Sequence, residues 1–83
     1  MKNTGLPIFE ILLNQSGDHL SVKLKPETTG NAELMIFDMV GNKMIQMIFT
    51  IGASVDLSTL SKGDYILIVQ KGLEYVVKRF TRN

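Results

Sequence analysis

Cysteine and tryptophan are both missing from the 83 residues. Without cysteine there are no disulfide staples and no thiolate metal site, and neither redox compartment is favoured. An antibody-type domain, whose core packs a tryptophan against a disulfide, is excluded by the same two absences. Histidine occurs once, at His19, so no second imidazole can share a metal with it. Charge of one sign is scarce too: nine Lys and Arg against eight Asp and Glu leave a formal +1, far from the strongly basic face of a nucleic-acid binder. No apolar run approaches the roughly 18 to 20 residues that a membrane-spanning helix needs. The opening "MKNTGLPIFEILLN" has a lysine followed by apolar residues, as an export signal does. Glu10 interrupts it and no small-x-small cleavage site follows, so it reads as a first strand.

The residues that remain describe a folded chain. A hydrophobic fraction of 45% with 20% charged residues argues against intrinsic disorder. The length gives one domain, residues 1–83, able to bury only about 60–65% of the surface its unfolded chain exposes.

Along the chain the hydrophobic period is two and the punctuation is glycine. "PIFEILLN" predicts a strand and "QSGD" a turn. "HLSVKLK" alternates, with Leu20, Val22 and Leu24 facing inward, until Pro26 ends it because proline cannot donate to a ladder. "AELMIFDM" and "KMIQMIFTI" flank a tight turn at "VGN", where Gly41 can supply a positive φ. "SVDL", "DYILIVQ" and "EYVVKRFT" complete the set, with "STLSKG" and "KGL" as connections. Seven short strands and no helical period predict an all-β fold, an antiparallel seven-stranded immunoglobulin-like β-sandwich.

Chemistry is hard to find in this pattern. The carboxylates Glu10, Asp18, Glu27, Glu33, Asp38, Asp56, Asp64 and Glu74 are scattered over strand ends and turns, and the serines have no adjacent base. His19 beside Asp18 reads as a surface turn. No glycine-rich phosphate loop opens a helix. The expectation is a protein that is not an enzyme, with no catalytic residue, no metal site and no cofactor.

Three segments in order carry a resemblance. "AELMIFDMVGNKM", "VDLSTLSKGDYILIV" and "YVVKRFTRN" resemble the C-terminal sorting domain carried by proteins of the type IX secretion system of Bacteroidota, over about residues 8–83. The family pattern Leu-x-Ile-x-Asp-x-x-Gly-Lys falls on Leu34, Ile36, Asp38, Gly41 and Lys43. Leu-Ser-x-Gly-x-Tyr falls on Leu60, Ser61, Gly63 and Tyr65, and the terminal aromatic-Lys-Lys-Phe pattern on Tyr75, Lys78, Arg79 and Phe80. The resemblance implies a non-enzymatic address: a translocon recognises the domain in the periplasm, a sortase removes it, and the cargo reaches the outer-membrane surface or the extracellular space. A second resemblance is to small secreted immunoglobulin-like proteins of gut Bacteroidota. It implies instead a free-standing secreted or periplasmic module with a self-associating, adhesive or structural role.

Each motif also has a plain physical reading. Asp38, Gly41 and Lys43 suit a hairpin: aspartate at a strand end, glycine where φ is positive, lysine exposed. Gly63 shapes a turn, and Tyr65 buries its ring while its hydroxyl seeks a partner near the surface. Lys78, Arg79 and Arg82 suit a solvated edge strand.

"YILIV" adds a further expectation, because it is apolar at every position and therefore apolar on both faces. Placing Leu34, Ile36, Tyr65, Leu67 and Val69 inward leaves Met35, Phe37, Ile45, Met47, Phe49, Ile66, Ile68 and one of Val76 and Val77 on other faces. An exposed apolar face of that size calls for a protein cover. The expected cover is a second copy in a two-fold homodimer, through Met35, Phe37, Met47, Phe49, Ile66 and Ile68.

Overall fold

A computed structural model describes residues 9–14, 18–25 and 30–83. Seven strands run in chain order: β1 (Phe9–Leu13), β2 (His19–Leu24), β3 (Ala32–Asp38), β4 (Lys43–Phe49), β5 (Gly52–Asp56), β6 (Gly63–Lys71) and β7 (Glu74–Arg82). They form two antiparallel sheets, one in the order β1-β2-β5 and the other β4-β3-β6-β7. No helix occurs among the described residues. The start of the predicted first strand at Pro7 and Ile8, the predicted turn at 15–17, and Pro26 with the loop to 29 lie outside the described residues. "SVDL" begins two residues late and ends one late against β5, since Gly52 and Ala53 already pair with Lys23 and Val22.

One buried cluster joins the two sheets. Leu20, Val22 and Leu24 from β2, Val55 from β5, Leu34 and Ile36 from β3, Tyr65, Leu67 and Val69 from β6, and Phe80 from β7 all belong to it. Alternation explains the set: with period-two side chains, every second residue of each strand faces the opposing sheet. Apolar burial at roughly 25 cal/mol per Å2 is the main force holding the sheets together. Leu57 and Leu60, in the connection from β5 to β6, are buried in the same cluster.

The structure corrects the faces of β4. In the β3–β4 register, Ala32 lies opposite Phe49, Leu34 opposite Met47 and Ile36 opposite Ile45. Directly opposed residues share a face, so all three β4 residues turn inward. Phe49 is only 7% exposed within the core, and Ile45 and Met47 pack against it. Phe49 and Met47 therefore do not lie on the outer face where the run "MIQMIF" suggested them. The cause is local: the register shifts between Ile36 and Phe37, so that Phe37 faces Lys43. A bulge of this kind adds a residue and breaks the parity that would be counted across the turn. Of the pair in β7, Val76 packs against the core and Val77 points away, 55% exposed.

Candidate functional site

Register places the motif residues. Asp38 at the end of β3 pairs with Tyr65 near the start of β6, and Tyr65 pairs with Phe80 near the end of β7. Gly63 pairs with Arg82. The 39–42 turn, the 57–62 connection and the C-terminal residues thus meet at one end of the four-stranded sheet. Leu34, Ile36, Asp38, Gly41, Lys43, Leu60, Ser61, Gly63, Tyr65, Arg79 and Phe80 all lie on the segments that converge there, with Lys78 two residues behind Phe80. Tyr75 does not: it pairs with Gln70 at the far end of the same sheet and is 67% exposed.

Each motif shapes a piece of that end. The Asp38 carboxylate accepts backbone N–H bonds from Val40, Gly41 and Asn42 at 3.0, 2.9 and 2.8 Å on Oδ1, and the Asn42 side-chain amide at 2.9 Å on Oδ2. Four donors on one carboxylate favour its ionised form. The Asn42 amide, followed by the backbone N–H groups, holds Asp38 below the usual carboxylate value. Gly41 has φ of 103°, a conformation that costs an L side chain energy. The turn lifts Met39 and Val40 into solvent. With Phe37, Ile66 and Ile68 they line an apolar hollow of about 400 Å3.

The second and third motifs are locked together. The Tyr65 ring is 5% exposed and stacks on Phe80 at a centroid distance of 5.7 Å. Its hydroxyl donates to the Ser61 carbonyl at 2.7 Å. Leu60 is buried, and its N–H donates to the Leu57 carbonyl at 2.9 Å. That same carbonyl accepts from Arg82 Nε at 3.1 Å, so the chain end is tied to the connection between the sheets.

Two contributors lie outside the motifs. Asp64 accepts from Arg79 Nη2 at 2.8 Å and from Thr81 Oγ1 at 2.8 Å. The Arg79 guanidinium, then Thr81, holds its carboxyl below the usual value. Asp56, which accepts the Ser58 N–H at 2.9 Å, is also lowered, with the bonds from Ser58 as the leading cause. The hairpin around "KGL" carried the signal for Asp64, because counting back from that turn sets Asp64 opposite Thr81 and diagonal to Arg79. Lys43 reaches Gln46 Oε1 at 3.1 Å, and the Gln46 amide donates to Glu33. Of the basic cluster, Lys78 and Arg79 are exposed on edge strand β7, while Arg82 is half-buried by its bond to Leu57.

His19 stands at the start of β2, with Nε2 3.1 Å from Ser54 Oγ on the exposed side of the other sheet. Among the described residues no group of three or more His, Cys, Asp or Glu side chains is placed to hold a metal ion. No described helix is long and apolar enough to cross a membrane. What the motif-bearing end offers chemically is shape: a rigid turn, an apolar hollow and exposed basic side chains.

The family model described as the secretion system C-terminal sorting domain matches residues 14–82, a span that contains all three motifs. No curated protein matches the chain.

Proposed function

Because the chain belongs to the family of type IX secretion C-terminal sorting domains, we propose that it is a non-enzymatic address read by the secretion machinery at its motif-bearing end. Family membership implies delivery toward the outer membrane or the extracellular space. The observation that carries the finer reading is the convergence of three separate motif segments on one end of the four-stranded sheet, where Asp38, Tyr65 and Arg82 each fix backbone. An address must keep one shape while a large receptor docks on it. Hydrogen bonds from side chain to backbone give a small sheet protein that rigidity.

An immunoglobulin-like sandwich is the architecture we infer with it. Two features support this: the strand order β1-β2-β5 against β4-β3-β6-β7, and the bond from Tyr65 back to the carbonyl four residues upstream. The second has the form of the tyrosine corner of such domains. The translocon and a sortase are the partners on this reading, and Lys43, Lys78 and Arg79 are the exposed basic groups available to them.

Fused behind a periplasmic cargo in a bacterium with an intact type IX system, the chain is expected to carry that cargo to the surface. Deleting residues 78–83 is expected to abolish delivery. Since that deletion also removes Phe80 from the core, Lys78→Glu serves as the second variant, expected to reduce delivery with the fold intact by circular dichroism. Cargo held in the periplasm by the intact chain would overturn the sorting role. It would favour the free-standing secreted module, for which the exposed apolar side chains Ile48, Tyr75 and Val77 speak.

A further inference from the structure

Four strand edges are open among the described residues: β1 and β5 in one sheet, β4 and β7 in the other. An open edge presents unpaired backbone donors and acceptors to any extended chain, and sheet proteins guard such edges by shortness or by charge. β1 and β5 have five residues each. β7 has nine but carries Lys78, Arg79 and Arg82, and Lys78, opposite Leu67, is an inward-facing charge of the kind that resists strand addition. β4 is guarded only at its start, by Lys43 and the bulge beside it. It runs for seven residues, and from Met44 to Ile51 the sequence holds no charged residue, no proline and no glycine.

We infer that β4 is a self-pairing edge, joining two copies of this chain by antiparallel β4–β4 addition across a two-fold axis beside Gln46. That register opposes Met44 of one copy to Ile48 of the other, and Ile45 to Met47. Opposed residues must share a face, and these do: Ile45 and Met47 pack toward the core, while Met44 and Ile48 are 45% and 68% exposed. The two four-stranded sheets become one continuous sheet of eight, and the outer faces with Ile48 become continuous as well.

Charge selects a second copy as the occupant. The axis opposes no like charges: Lys43, turned outward opposite Phe37, lies beyond the paired residues 44–48. Glu33 lies opposite Ile48 on the neighbouring strand. It therefore stands roughly 9–10 Å, two strand spacings, from the line of the other copy's Lys43, a gap that two long side chains can span. The pairing differs from face-to-face packing of the outer sheet surfaces, and it does not depend on the sorting role. Five residues a side, 44–48, place it among small, transient interfaces, below about 1,200 Å2 in total.

Sedimentation equilibrium of the full chain tests it. The wild type is expected to show a concentration-dependent monomer–dimer equilibrium. Ile48→Lys, at an exposed position, is expected to weaken the dimer about tenfold, since two cross-strand pairs are spoiled per dimer. Adding Met44→Glu to Ile48→Lys is expected to restore it, because the introduced charges meet only across the axis, being about 13 Å apart along one strand. Circular dichroism on each variant verifies that the sheets persist. A wild type that stays monomeric at several hundred micromolar would overturn the inference, as would a double variant no tighter than the single one. A dimer broken by Val77→Lys but indifferent to Ile48→Lys would also overturn it, in favour of face-to-face packing.

Discussion

The two ends of the four-stranded sheet are built to different standards. At the motif-bearing end, Asp38 ties down three backbone amides, Tyr65 bonds the Ser61 carbonyl, Arg82 bonds the Leu57 carbonyl, and Asp64 joins Arg79 to Thr81. At the other end the 71–74 turn carries a side-chain bond from Gln70 to the Gly72 carbonyl at 3.3 Å, and Leu73 is 98% exposed. Both ends close a hairpin around a glycine with positive φ, Gly41 in one and Gly72 in the other. Turn formation alone therefore needs none of the extra bonds. Among the described residues they are concentrated where the family motifs lie.

The largest effect expected from this contrast sets one tyrosine against the other. Tyr65→Ala removes a buried ring stacked on Phe80 and is expected to cost about 3–5 kcal/mol, a large share of the roughly 5–10 kcal/mol available to a small domain. Tyr75→Ala, at the loosely tied end, is expected to stay within about 0.5 kcal/mol. Urea unfolding of both variants measures the difference. Equal costs would mean that the two ends are energetically alike.

A smaller effect is expected at the turn itself. Gly41→Ala meets no atom within 4 Å, so its cost is one of backbone conformation alone, about 1–2 kcal/mol. A loss near zero would show that the Asp38 turn relaxes and is not held. Smaller again is Tyr65→Phe, which keeps the stacking on Phe80 and removes only the bond to Ser61, about 1 kcal/mol. The melting temperature should fall modestly, and the backbone N–H groups of 57–62 should exchange faster with solvent while those of 71–74 are unaffected.

How far the sequence was legible follows from the same pieces. The strands of β2, β3 and β6 could be read with their inward residues, because Leu20, Val22 and Leu24 alternate with polar neighbours and because a tyrosine and glycines bound β6. β4 was not legible in the same way. Its apolar residues fall on both parities, and the bulge opposite Phe37 breaks the count across the turn. Gln46 was the available clue: the single polar residue within Met44–Ile51 apart from Thr50 marks the outward parity, and that sends Ile45, Met47 and Phe49 inward. The motif residues could be found by pattern, yet their meeting at one end could not. It depends on β3 pairing with β6 rather than with its chain neighbour alone, a non-local choice that period-two patterning does not encode. The role of Arg82 was hidden for the same reason, since its partner Leu57 is far away in the chain.

The smallest expected effect is one of pH. Asp38, Asp56 and Asp64 all have carboxyls lowered in the folded chain, led respectively by bonds from Asn42, Ser58 and Arg79. A folded value below the unfolded one means that the unfolded chain takes up protons first as the pH drops. The contribution of these groups is thus fully present above the unfolded value of about 3.9, and it is lost as the pH falls through their lowered folded values. Near neutral pH, small changes should leave it untouched. Because the Asp38 carboxylate accepts directly from Val40, Gly41 and Asn42, the amide resonances of those three residues should titrate together, with an inflection below about 3.9. Asp38→Asn should abolish that shared inflection. An inflection above about 3.9 at Val40, Gly41 and Asn42 would mean that the carboxylate is not held by the turn, and the rigidity assigned to the motif-bearing end would lose its first support.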